Sequence, residues 1–192
     1  MENFISEAGK RTLLTEARES ISASLEGRNA RYGEPPHELS ASHGVFVTLR
    51  TGSGELRGCI GNLFGGAEPL YRLVRKMALA SAFEDPRFPA LRKEELAGLS
   101  IEISVLSDFT ESSAEDVVPG KHGILISKAS RSGILLPQVA VEQGWDRRQF
   151  LSHGCLKAGL PAESWKDKDV VIKVFTALIF NEGDFPLETE RR

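Results

Sequence analysis

The feature that most constrains this chain is that it begins again partway along. His43-Gly44-Val45-Phe46-Val47 is echoed by His122-Gly123-Ile124-Leu125-Ile126. Continued without a gap, that alignment places Ser53-Gly54 on Ser132-Gly133 and Leu56 on Leu135. Each copy reads as a hairpin, a helix and an apolar strand. In the first, a β-branched, apolar strand at 44–49 and a returning strand at 55–61 flank turn chemistry at Thr51-Gly52-Ser53-Gly54. A helix starts near Pro69, carries the stripe Leu70, Leu73, Val74, Met77 and Ala80, and is stopped by Asp85-Pro86-Arg87-Phe88-Pro89. A short helix at about 92–97 leads into a strand at 99–106. In the second copy the helix runs from about Asp146 to Ala158, ended by Gly159 and Pro161, and the strand covers 170–179. Two copies are too few, and the period too long, for a solenoid. The expectation is one α+β domain over 1–192, with repeat one at about 43–107 and repeat two at about 122–180. An N-terminal helix at about 2–27 precedes them, with Leu14, Ala17, Ile21 and Leu25 on one face and Gly27 as its cap. Segments 28–42 and 108–120 read as loops, the latter acidic and exposed.

Composition removes several function classes. The formal charge is −3, with Lys and Arg scattered, which argues against a nucleic-acid groove or an anionic-membrane surface. Two cysteines make neither a disulfide framework nor a zinc pair. The start of the chain lacks the apolar core of a targeting signal, and no apolar run has the length of a membrane span. These features predict a cytoplasmic protein with reduced thiols.

The copies share a scaffold, so residues found in only one need a separate reason. The ungapped alignment sets Arg57-Gly58-Cys59 against Leu136-Pro137-Gln138. Leu56-Arg57-Gly58-Cys59-Ile60-Gly61 puts a cation, a thiol and two glycines into a strand, where glycine marks a bulge or a close approach. Alternation places Arg57, Cys59 and Gly61 on one face, with Arg57 and Cys59 ~6–7 Å apart at their Cα atoms. A neighbouring guanidinium favours the thiolate, the form that attacks or ligates. The plainer alternative is that Cys59 is a small buried apolar residue. Gly58, Gly61, Gly65 and Gly66 lead into a helix and form a candidate ligand cradle, or else a tight strand-to-helix connection. Asp85 and Arg87 bring a carboxylate and a guanidinium to a cleft edge, or form a helix stop with a surface ion pair. Glu102 interrupts an apolar strand and faces a partner or solvent beside Ser104. His43 and His122 head equivalent strands, which points to turn geometry. A composite metal site from His43, Cys59, His122 and Cys155 lacks any local ligand spacing, so no metal is expected. No cofactor is legible.

Together these motifs resemble the AMMECR domain family, named after the AMME syndrome chromosomal region gene. The resemblance covers 44–180. It is carried by 56–61, by Ala82-Phe83-Glu84-Asp85-Pro86-Arg87-Phe88, by Ile101-Glu102-Ile103-Ser104-Val105-Leu106, by Leu136-Pro137-Gln138, by Gly144-Trp145-Asp146 and by Lys157-Ala158-Gly159-Leu160-Pro161. The compact length is similar to that of the prokaryotic members, called AmmeMemoRadiSam system protein A. The resemblance implies two α+β repeats forming one curved, barrel-like antiparallel sheet with helices outside. It also implies association with a Memo-type protein and a radical S-adenosylmethionine protein. Two functions follow as expectations. In the first, a cytoplasmic binding or accessory component works through 56–61. The alternative is an enzyme in which Cys59 is nucleophile or ligand, Arg57 binds an anionic group, and Glu102 or Asp85 handles protons.

Overall fold

In the computed structural model, which describes residues 5–185, the chain divides into two units. One comprises the residues up to Val105 together with those from Leu178 onward; the other is Leu106–Ala177.

The first unit opens with α1, Glu7–Glu26. The Ser6 side chain accepts from the Gly9 N–H, and Gly27 closes the helix at φ 66°. That left-handed conformation favours glycine. The expected start at residues 2–4 lies outside the described residues. Next come β1, Val45–Arg50, β2, Leu56–Asn62, and α2, Leu70–Phe83, preceded by Pro69 as its N-cap. A 3-10 turn at Lys93–Gly98 leads to β3, Ser100–Leu106. The strand β8, Ala177–Asn181, completes a sheet of order β2-β1-β3-β8. Alternate residues of the central strands, Val45, Val47, Leu49, Ile101, Ile103 and Val105, are wholly buried. They form one core with Leu13, Ala17 and Ile21 of α1 and Leu70 and Val74 of α2. The period-2 face of a sheet meeting the period-3.6 stripes of helices is what the sequence pattern required.

The second unit contains β4, Thr110–Glu111, β5, Gly123–Lys128, β6, Arg131–Leu135, α3, Pro137–Glu142, α4, Arg147–Lys157, and β7, Val171–Phe175. Its sheet has the order β4-β7-β5-β6. The segment 108–120 is thus not all loop: β4 pairs with β7, and Val117 is fully buried. In α4 a capping box joins Asp146 and Gln149. Ile124, Ile126, Phe150, Leu151 and Cys155 lie in its core. In each unit the first hairpin strand sits between its hairpin mate and the strand that follows the helices.

Three expectations are corrected. The sheet is not one curved barrel. The described residues form two four-stranded antiparallel sheets, and each ends in edge strands, β2 and β8 in one, β4 and β6 in the other. The apolar run at 170–179 is not one strand. It breaks at Thr176, whose N–H donates to Ser107 Oγ and whose carbonyl accepts from the Ser107 N–H, both at 2.9 Å. With that backbone turned aside, β7 and β8 join different sheets.

The two hairpins also differ from the ungapped alignment. The first hairpin turns through residues 51–55, the second through Ala129 and Ser130 alone, with Ala129 at φ 52°. The shorter turn shifts the return strand. Thr48 faces Cys59 in the first hairpin, while Ser127 faces Ser132 in the second. The counterpart of Cys59 by pairing is therefore Ser132. Leu136-Pro137-Gln138 lies beyond β6, with Pro137 opening α3. Proline fits the first turn of a helix because its missing N–H is one that would go unpaired there.

Candidate functional site

Register decides what surrounds Cys59. A β-bulge lies between Leu49 and Arg50: Leu49 pairs with Gly58 and Arg50 with Leu56, so Arg57 has no cross-strand partner. The extra residue re-aims its side chain. Leu56 is left 37% exposed and Arg57 only 9%. The Arg57 guanidinium forks onto Glu95, with Nε at 2.7 Å from Oε1 and Nη2 at 3.2 Å from Oε2, and it also donates to the Pro89 carbonyl at 3.0 Å. This hydrogen bonding holds the Glu95 carboxyl at a pKa of about 2. The expected Arg57–Cys59 pair is thus replaced by an internal ion pair, and Arg57 has its charge neutralised.

The guanidinium that does reach Cys59 is Arg87, whose Nη2 donates to the Cys59 carbonyl at 3.3 Å. Arg87 also holds Asp85 through two contacts, Nε to Oδ1 at 2.9 Å and Nη2 to Oδ2 at 2.7 Å. Asp85 accepts two backbone bonds as well, from the Arg87 N–H at 3.1 Å and the Cys59 N–H at 2.8 Å. The carboxylate is 4% exposed. The Arg87 hydrogen bonds hold its pKa far below the usual range, against the opposing effect of burial. A carboxylate so fully engaged stays ionised at neutral pH, and Asp85 is accordingly a clamp on the backbone of β2. Because β2 is an edge strand, Asp85 and Arg87 also occupy its outward N–H and C=O at Cys59, as a neighbouring strand would.

The glycines serve packing within the chain. A Cβ on Gly58 would stand 2.1 Å from the Ser81 carbonyl oxygen of α2. One on Gly61 would stand 2.3 Å from the Phe46 ring, and one on Gly65 2.7 Å from the His43 carbonyl oxygen. Gly65 and Gly66 turn the chain at φ 64° and 71°. Gly66 alone of the four would meet nothing.

On the sheet face away from α2, Cys59, Thr48 and Glu102 occupy directly opposed positions on β2, β1 and β3. Thr48 Oγ1 donates to Cys59 Sγ at 3.3 Å. Two strand spacings put Glu102 roughly 10 Å from Cys59 at the backbone, with Thr48 between them. Ser104 follows Glu102 on that face, and its buried Oγ has no protein partner. Among the described residues no group of three or more His, Cys, Asp or Glu side chains could hold a metal ion, so the composite set of His43, Cys59, His122 and Cys155 is not assembled. Cys155 is fully buried, and burial raises its thiol pKa.

Sequence reasoning missed Thr48, Ser81 and Glu95. Thr48 carried a signal, a hydroxyl residue between the buried Val47 and Leu49. Ser81 and Glu95 carried none, because their partners are set by packing over many residues of chain.

The AMMECR1 family profile matches residues 14–180. The chain belongs to the AMMECR1 family. It is 41% identical over 174 residues to protein NEQ441 of Nanoarchaeum equitans, covering 86% of this chain and 96% of that one. It is 43% identical over 182 residues to protein TK0174 of Thermococcus kodakarensis, covering 86% of each. The crystal structure of the uncharacterized protein PH0010 from Pyrococcus horikoshii superposes with a TM-score of 0.82 at 39% identity, covering 93% of both chains. No helix of the described residues is long and apolar enough to cross a membrane.

Proposed function

We propose that this AMMECR1-family chain is a cytoplasmic binding or accessory component, the protein A of an AmmeMemoRadiSam system, that works with Memo-type and radical S-adenosylmethionine proteins through β2. One observation carries the reading. The charged groups that catalysis would need beside Cys59 are neutralised within the chain, Arg57 by Glu95 and Asp85 by Arg87. Apolar groups stand outward at both ends of β2, with Leu56 at its start 37% exposed and Phe64, beyond the exposed Asn62, 65% exposed. Exposed apolar groups on a segment held rigid from behind favour docking. On the same reading each unit holds one copy of a duplicated hairpin–helix–strand segment, and only the first carries a thiol in its hairpin. The shared pairing order supports this.

The test is co-purification of the tagged chain with Memo-type and radical S-adenosylmethionine proteins of the same organism. Leu56→Glu with Phe64→Glu lowers capture by about tenfold or more while circular dichroism stays unchanged. Failure of the wild-type chain to capture either protein removes the proposal.

The enzymatic alternative retains one favourable observation, the Thr48 hydroxyl donated to the sulfur of a partly buried Cys59. It loses Arg57 as an anion binder. If the reconstituted system has an activity and Cys59→Ala leaves it unchanged, the alternative falls.

A further inference from the structure

We propose that Ser81 is a positioning residue for Cys59, and that it acts by bridging the β1–β2 ladder one residue away from the thiol. The inference rests on β2 being the working segment. Ser81 lies in α2 and is 2% exposed. A helical serine ordinarily bonds back to a carbonyl of its own preceding turn. Ser81 Oγ instead accepts from the Ile60 N–H at 2.9 Å and donates to the Val47 carbonyl at 2.7 Å. Ile60 and Val47 are a cross-strand pair. The hydroxyl thus tethers both strands to the helix at the pair next to Thr48 and Cys59. Gly58 allows the approach, since any side chain there would strike the Ser81 carbonyl.

The second unit shows that strand–helix contact of this kind does not itself require a bridging hydroxyl. Gly133 of β6 also lies close against α4, where an added Cβ would stand 2.8 Å from the Gly154 carbonyl oxygen. The β5–β6 register there runs without a shift, and no side-chain hydroxyl of α4 bonds to either strand among the described residues. The bridge is found in the unit that carries the Cys59 strand. Asp85 and Arg87 fix the outer edge of Cys59, and Ser81 fixes the inner side at Ile60, so the thiol is held from both sides of its backbone.

Ser81→Ala removes the tether while giving α2 a better helix former. The measurement is alkylation by iodoacetamide at neutral pH, read separately at Cys59 and Cys155 by peptide mass. Cys155, wholly buried, reports global opening. In Ser81→Ala, Cys59 should be alkylated about tenfold faster through local opening of the edge strand, while Cys155 keeps its wild-type rate. Exchange of the Ile60 amide should accelerate with it, and the amides of Ile101 and Ile103 should not. Ser81→Thr, which keeps the hydroxyl, should stay within about twofold of wild type at Cys59. An unchanged or slower Cys59 rate in Ser81→Ala overturns the inference. So does acceleration of both cysteines together, which would make Ser81 a contributor to global stability alone. No partner protein enters this experiment, so its failure is distinct from failure of the co-purification test.

Discussion

At the scale of single residues, two arginines that look alike in sequence have different roles. Arg57 is buried and paired with Glu95, whereas Arg87 is half-exposed and covers a buried Asp85. Removing one member of a buried pair strands the other. Arg57→Ala should therefore cost ~2–3 kcal/mol in a urea titration, toward the low side for buried pairs because Glu95 keeps some solvent contact. The same variant should leave the alkylation rate of Cys59 unchanged, because Arg57 does not touch the thiol. Asp85→Asn keeps the shape but loses the charge that holds Arg87 and weakens the bond to the Cys59 N–H. It should destabilise the chain and accelerate Cys59 alkylation together, read by the same two measurements.

At the scale of elements, β2 is defined by how closely other elements approach it. Gly58→Ala would drive a methyl into the backbone of α2, which cannot move as a side-chain tip can. The expected loss is about 3 kcal/mol, at the upper end for overpacking, measured by denaturant unfolding. Glycine at 58 was legible as a close approach, but the sequence left open what approaches. The structure shows that it is the chain's own helix. The bulge at Arg57 was not legible, because strict alternation predicts the wrong face for a residue that a bulge has displaced. The hairpins show the same limit. Turn chemistry marked the first, but the ungapped alignment set Ser132-Gly133 on the first turn, whereas the second hairpin turns at Ala129 and Ser130, which shifts every pairing beyond it. In α4, Phe150 is wholly buried, and Phe150→Ala should cost ~3–5 kcal/mol with loss of amide-exchange protection in β5 and β7.

At the scale of the whole molecule, the arginine-paired carboxylates set the response to acid. Glu95 falls from an ordinary 4.5 to about 2, and Asp85 is depressed further, each chiefly by an arginine hydrogen bond. A depressed folded-state pKa contributes stability above the unfolded-state value and loses it as pH falls toward the folded value. Stability should thus be level near neutrality and decline below about pH 4.5, with the urea midpoint against pH as the measurement. Arg57→Ala should flatten part of that decline. The sequence by itself determined the α+β class, the order hairpin, helix, strand in each unit, and the helix limits at Gly27 and near Pro69, because periodicity and capping act over a few residues. It also marked 56–61 as unusual. Only the tertiary structure decided that the strands form two sheets, that Arg57 turns to Glu95, and that Asp85, Arg87 and Ser81 grip the strand of Cys59. Those outcomes depend on register and on contacts between residues far apart in the chain, which local pattern does not encode.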